Sequence, residues 1–217
     1  MSAEDTALAI EAAQEAFQSF KKTTARERAR MLRKWNDLCL AHIDDLALIL
    51  TLENGKTLTE AKGEVTHAAS FLEWFAGEAE RTYGEVVPVA NQNQKILTFK
   101  QPLGVAACLA PWNFPIAMIT RKVGAAYNRH VNLAAGYLAM LMIQSLETCG
   151  ETPLSCLAQA ALAQEAGFPK GAINVVTTLG FVAEVGKELR TNKLVKNSAS
   201  LEARGLESCW PNSVRAA

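Results

Sequence analysis

No sign of charge dominates this chain: Lys and Arg together number 22, and so do Asp and Glu. Nucleic acid and anionic membrane surfaces are bound through a clustered basic excess, so there is no electrostatic case for either partner. Histidine is scarce, at three residues, and the five cysteines (Cys39, Cys108, Cys149, Cys156, Cys209) are odd in number and irregularly spaced, without a Cys-x-x-Cys pair. Neither a disulfide framework nor a metal site is expected, and a reducing compartment is the simpler setting. Long apolar runs are missing as well. The longest, Leu133 to Ile143, falls well short of the ~20 residues that cross a bilayer. The opening Met-Ser-Ala-Glu-Asp is acidic and leads straight into a helical pattern, which fits neither a secretory signal nor an Arg-rich transit peptide. A cytoplasmic location is therefore expected, with a mitochondrial one open if further residues precede Met1.

What is present is a chain of 217 residues, 49% of them hydrophobic, enough for one sizeable core or two small ones. Ile10, Ala13, Phe17 and Phe20 recur at helical spacing. Thr24-Ala-Arg-Glu27 is a capping box that opens a second helix, with Leu32, Trp35, Cys39 and His42 on one face and Leu46 and Ile49 following after a break at Asp44-Asp45. Asn54-Gly55 is a C-terminal stop. Thr57-Leu-Thr-Glu60 is a second capping box, and its helix is expected to run to about Tyr83, with His67 and Trp74 as packing residues. Val86–Val89 and Lys95–Gln101 read as strands, the second with the alternation of a half-exposed antiparallel element.

The organising stretch is Gly104 to Pro115. Val105 to Ala110 is an apolar run without alternation, the pattern of a strand covered on both faces in a parallel sheet. Pro111 ends it, and Pro115 suits the first turn of a following helix. Trp112, Asn113 and Phe114 are left in the strand-to-helix connection, the edge where open α/β sheets bind ligands. The Asn113 amide could donate to a developing oxyanion. It could equally cap the helix, with Trp112 filling an apolar gap.

Gln101-Pro-Leu-Gly-Val-Ala-Ala, Ala110-Pro-Trp-Asn-Phe-Pro and Met118-Ile-Thr-Arg-Lys-Val-Gly-Ala-Ala126 resemble the NAD(P)-dependent aldehyde dehydrogenase superfamily, most closely its succinate-semialdehyde branch. Leu52-Glu-Asn-Gly-Lys-Thr-Leu-Thr-Glu-Ala-Lys-Gly-Glu64, Phe71-Leu-Glu-Trp-Phe75, Thr152-Pro-Leu-Ser and Ala166 to Val176 match in the same order. The resemblance implies an α/β fold: an incomplete Rossmann-like NAD(P)-binding domain of the aldehyde dehydrogenase fold, preceded by an N-terminal helical segment. The expected division is 1–84 helical, 85–196 partial dinucleotide-binding, and 197–217 a divergent, poorly ordered tail. It also implies oxidation of an aldehyde, succinate semialdehyde of 4-aminobutyrate degradation, with NAD or NADP. Asn113 would be the oxyanion donor, catalytic and beside the cofactor. Trp112 would line the nicotinamide side, and Arg121 would grip the substrate carboxylate, for which a guanidinium fork is suited. Lys122 is expected to face elsewhere. The strands near 86–101 would be the arm that joins subunits, giving a homo-oligomer or a pairing with a full-length subunit.

The match breaks twice. Between 127 and 151 the chain interposes Tyr127-Asn-Arg-His-Val-Asn132 and then runs Tyr137 to Glu151, whose Leu, Ala and Met favour helix and put the family's second strand in question. The lysine that would help hold the adenosine ribose has no counterpart there. After Lys196 the Phe-Thr-Gly-Ser turn that approaches the cofactor is replaced, so weak or no binding of NAD(P) is expected. None of the cysteines stands in a Gly-Gln-x-Cys context, and no Leu-Glu-Leu-Gly-Gly stretch is present. The 217 residues are thus expected to be inactive alone. The alternative to an enzyme is a non-catalytic fragment that at most pairs with a complete subunit.

Overall fold

The computed structural model describes residues 1–127, 140–145, 152–178 and 180–200. Helices come first: α1 (Ala3–Phe20), α2 (Ala25–Ala41), α3 (Ile43–Asn54) and α4 (Leu58–Ala79). The boxes at Thr24–Glu27 and Thr57–Glu60 form in both directions. A third, Ser2–Asp5, opens α1 with Asp in place of the usual Glu or Gln. The break between α2 and α3 falls at His42, which is exposed, rather than at Asp44-Asp45. Those two carboxylates occupy the first turn of α3, where they suit the positive end of the helix dipole. His67 and Trp74 stand on the outer side of α4, because Ala61, Val65, Ala68, Leu72 and Phe75 take the inner one. Trp74 is therefore not a core residue, and His67 only rests edge-on against Phe71, ring centroids 4.6 Å apart.

The strands β1 (Glu85–Val87) and β2 (Ile96–Thr98) pair antiparallel, Val86 opposite Leu97. Both are exposed on both faces, although the alternation of the second suggested that one of its faces would be covered.

The main sheet is built from β3 (Val105–Leu109), β4 (Met140–Ser145), β5 (Ile173–Thr178) and β6 (Val195–Ser200), with α5 (Pro115–Tyr127), α6 (Pro153–Glu165) and α7 (Val182–Thr191) between them. The order is β5-β4-β3-β6, all parallel. The second strand, which residue propensities put in question, is present as β4. A slot between two parallel strands supplies ladder partners on both sides, and that context outweighs the helix preference of Leu and Met. At the other break, β6 carries residues 197–200 into the sheet beside β3. Residues 201–217, like 128–139 and 146–151, lie outside the described ones.

The sheet is covered on both faces, as its apolar centre requires. Ala106, Cys108 and Ala110 pack with Phe20, Leu32, Trp35, Leu72, Phe75 and Ile116 in one cluster. Ala107 joins Ile10, Val185 and Leu189, and Val105 joins Ala13, Ala16 and Ala172. The first helices thus share a core with the sheet. α4 and α5 approach closely at Gly124, where a Cβ would collide with the Phe75 ring. No described helix is long and apolar enough to cross a membrane.

Candidate functional site

The chain moves from β3 through β4 to β5 in one direction and returns to place β6 on the other side of β3. That reversal makes the carboxyl end of β3 the switch point at which a doubly wound sheet opens a crevice. Ala110 is buried there, Trp112 is 42% exposed, Phe114 is 45% exposed and Asn113 is exposed, before Pro115 and Ile116 return to the interior. An exposed Trp112 is not the filler of an apolar gap.

The backbone of this turn is held from beneath by the loop that links α3 to α4. Gly55 adopts φ +74°, the left-handed conformation that closes α3. The Asn54 amide donates to the Trp112 carbonyl at 3.0 Å, and the Lys56 ammonium donates to the Asn113 carbonyl at 2.7 Å. Lys56 also forms an ion pair with Glu64 and lies 4.0 Å from the centroid of the Phe114 ring. The Glu64 side chain is almost wholly buried, and its Oε1 accepts from the N–H groups of Ile116 and Ala117 at 3.0 and 3.3 Å. It is thus Glu64, and not Asn113, that caps the first turn of α5. In the last turn of α3, Glu53 accepts from the N–H groups of Leu154 and Ser155 at 2.5 and 2.7 Å and so caps α6. Thr152 and Pro153 mark the start of that helix, but the capping carboxylate comes from a distant helix. Within the Leu52 to Glu64 match, sequence reasoning saw Asn54-Gly55 as a stop and Thr57–Glu60 as a cap. It assigned no function to Glu53, Lys56 or Glu64, and acidic and basic residues beside a turn are too common to single out.

Along α5 the positions Ile116, Ala117, Ile119, Thr120, Lys122, Val123 and Gly124 are buried, whereas Phe114, Met118, Arg121 and Ala125 are open or half-open. Those four are spaced four, three and four apart, one stripe of a helix. Arg121 therefore stands exposed on the stripe that begins at the turn. Lys122 faces the interior, only 7% exposed, and its Nζ has no hydrogen-bond partner among the described residues. Burial lowers its pKa to about 8, with the neighbouring Cys108 opposing the shift and Arg121 adding to it.

The thiols of Cys39, Cys108 and Cys156 are buried and outside any disulfide, and burial pushes each up to about 12. None is a thiolate at neutral pH, and none stands at the turn. Cys149 and Cys209 lie outside the described residues. Among the described residues no three His, Cys, Asp or Glu side chains gather as a metal site.

The model of the aldehyde dehydrogenase family matches residues 1–198. The chain belongs to that family. Among curated aldehyde dehydrogenases it is 49% identical over 196 residues to glutarate-semialdehyde dehydrogenase of Pseudomonas aeruginosa and 48% identical over 196 residues to an NADP(+) succinate-semialdehyde dehydrogenase of Escherichia coli. Each match covers 90% of this chain and 38% of the relative. Among solved structures, the succinate-semialdehyde dehydrogenase of Burkholderia pseudomallei superposes with a TM-score of 0.80 at 47% identity, covering 91% of this chain and 38% of that one. The chain thus spans well under half the length of the aldehyde dehydrogenases it matches. The described helices and sheet are the Rossmann-like portion of the aldehyde dehydrogenase fold with its preceding helices.

Proposed function

We propose that these residues form the aldehyde-recognising edge of a semialdehyde dehydrogenase. Asn113 donates its amide to the oxygen that becomes an oxyanion, and Arg121 holds the carboxylate at the far end of a short semialdehyde such as succinate semialdehyde. Trp112 offers its indole as the wall on which the nicotinamide of NAD or NADP lies. The observation that carries this reading is the stripe on α5: one continuous open line leads from the Trp112–Phe114 turn to Arg121, while every other α5 side chain from Ile116 to Gly124 except Met118 is buried. An aldehyde oxygen at the turn and a carboxylate along that line would be met by an amide donor and a guanidinium, the two groups suited to them.

The cofactor, when bound, would accept the hydride. A parallel sheet with its switch point at β3 and an exposed indole at that edge fit its nicotinamide end. The residues expected to hold the adenosine end are replaced in the sequence, so the 217 residues alone should bind NAD and NADP only weakly. Micromolar affinity by calorimetry, worth roughly 8 kcal/mol, would refute that part.

A second reading is favoured by the inert cysteines. With Cys39, Cys108 and Cys156 buried and held near 12, these residues act by pairing with a complete subunit and not by turning over substrate. The exposed ribbon of β1 and β2 is the surface available for such pairing.

Calorimetric titration with succinate semialdehyde and with propanal, which lacks the carboxylate, tests the main reading. Succinate semialdehyde should bind more tightly, Arg121→Gln should erase the preference, and Asn113→Ala should weaken both ligands. Equal binding of the two by the unaltered chain would overturn the role given to Arg121. No NADH absorbance at 340 nm is expected in either case.

A further inference from the structure

The contacts under the turn form a closed circuit. It runs from the Asn113 carbonyl to the Lys56 ammonium, through the ion pair to Glu64, and from the other Glu64 oxygen to the N–H groups of Ile116 and Ala117. The last part of the strand-to-helix connection and the first turn of α5 are tied to one ion pair, whose carboxylate is buried and whose ammonium is mostly so, with the Phe114 ring laid against its cation. A pair of this kind is a poor stabiliser, because desolvating two charges offsets much of their attraction. Its best-attested use is to fix one arrangement among several.

We infer that Lys56 and Glu64 are positioning residues for Asn113: they hold its backbone so that the amide leaves the turn in one direction. The inference rests on the reading of Asn113 as the oxygen donor. A donor aimed at a developing charge acts only if it is in place beforehand, within about 0.5 Å. The Asn113 side chain is exposed and gets no such constraint from packing. The constraint comes from its carbonyl, which Lys56 holds, and from the neighbouring Trp112 carbonyl, which Asn54 holds. Lys56 and Glu64 touch no substrate in this arrangement; they act through the turn.

The test uses the full chain labelled with 5-fluorotryptophan, in which Trp112→Phe assigns the turn resonance and the fully buried Trp35 reports on the core. The double variant K56M/E64Q removes both charges and keeps both volumes, so no lone charge is left buried. In the ligand-free protein its Trp112 resonance should shift and broaden while that of Trp35 stays in place, and K56R, which keeps a charged donor, should hold the Trp112 resonance near its original position. Succinate, whose second carboxylate stands in for the aldehyde oxygen, should then bind the double variant roughly 10- to 100-fold more weakly. If K56M/E64Q does not fold, E64Q alone, which retains an acceptor for Ile116, should move the Trp112 resonance in the same direction by less. An unmoved Trp112 resonance in a folded variant, or equal changes at Trp112 and Trp35, would overturn the inference. If succinate fails to perturb the unaltered chain, the assignment of the binding edge fails, whereas the positioning role is still decided by the ligand-free spectra.

Discussion

The turn after β3 and the ribbon of β1 and β2 both present large apolar side chains to solvent, yet they are built in opposite ways. In the ribbon, Val86 and Leu97 are 72 and 65% exposed, on strands of three residues each that pair, among the described residues, only with each other, and Phe99 just past the second strand is 73% exposed. In the turn, Trp112 and Phe114 are about as exposed as many surface residues, but the backbone that carries them is held by Asn54, Lys56 and Glu64. Exposure on a held backbone suits a site that must meet a small ligand with fixed geometry. Exposure on a two-stranded ribbon, marginal by itself in water, suits a surface that another part of a protein covers.

The contrast can be broken first at the strand that supports the turn. Leu109→Asp puts an unpaired carboxylate into β3, at a position only 5% exposed, and should cost several kcal/mol, enough to abolish the cooperative melt seen by circular dichroism. An unchanged melt would mean that β3 is not central. Next comes Lys56→Met, which strands the Glu64 charge in the interior. A loss of about 3–5 kcal/mol is expected in urea unfolding, and adding E64Q should recover much of it; no recovery would mean that the loss is not electrostatic.

A smaller effect separates the buried face of α5 from its open stripe. The folded Lys122 has its pKa lowered to about 8 from an ordinary 10.5. The unfolded chain therefore binds more protons at this group between those values, and its contribution to stability rises with pH through that window. The thiols pushed to about 12 from 9.0 act in the opposite sense. Between about pH 8 and 9 the Lys122 contribution should rise by about 1 kcal/mol, while the three thiols together offset about as much. Lys122→Met should therefore make stability fall by about 1 kcal/mol across that interval relative to the unaltered chain, and parallel profiles of the two proteins would assign the effect to another group. The smallest effect belongs to the ribbon. Leu97→Thr should change the free energy of urea unfolding by no more than about 0.5 kcal/mol, and a larger loss would show that the ribbon is already packed against something.

Much of this fold is legible residue by residue. The capping boxes at Thr24 and Thr57 and the apolar run from Val105 to Ala110 are local signals, since each depends on residues a few positions apart whose hydrogen bonds or burial follow from their own spacing. The position of Asn113 between a strand and a proline-led helix was readable for the same reason. The strand β4 was not, because Met140 to Ser145 has the composition of a helix and is extended only where β3 and β5 offer it hydrogen-bond partners on both sides. Trp74 misled in the other direction. Aromatic residues are buried more often than not, but the inner side of α4 was already taken by smaller apolar residues at helical spacing.

What the sequence determined by itself was therefore the family, the local elements and the identity of the residues at the turn, because these are properties of short stretches. Only the tertiary structure decided what holds that turn. Lys56 and Glu64 are separated from Asn113 and Ile116 by more than fifty residues of chain, and Glu53 is farther still from Leu154. A charged side chain carries no mark of the backbone group it will meet. That pairing exists only once α3, α4 and α5 have packed, which brings a buried carboxylate against helix N–H groups that would otherwise lose their hydrogen bonds to water.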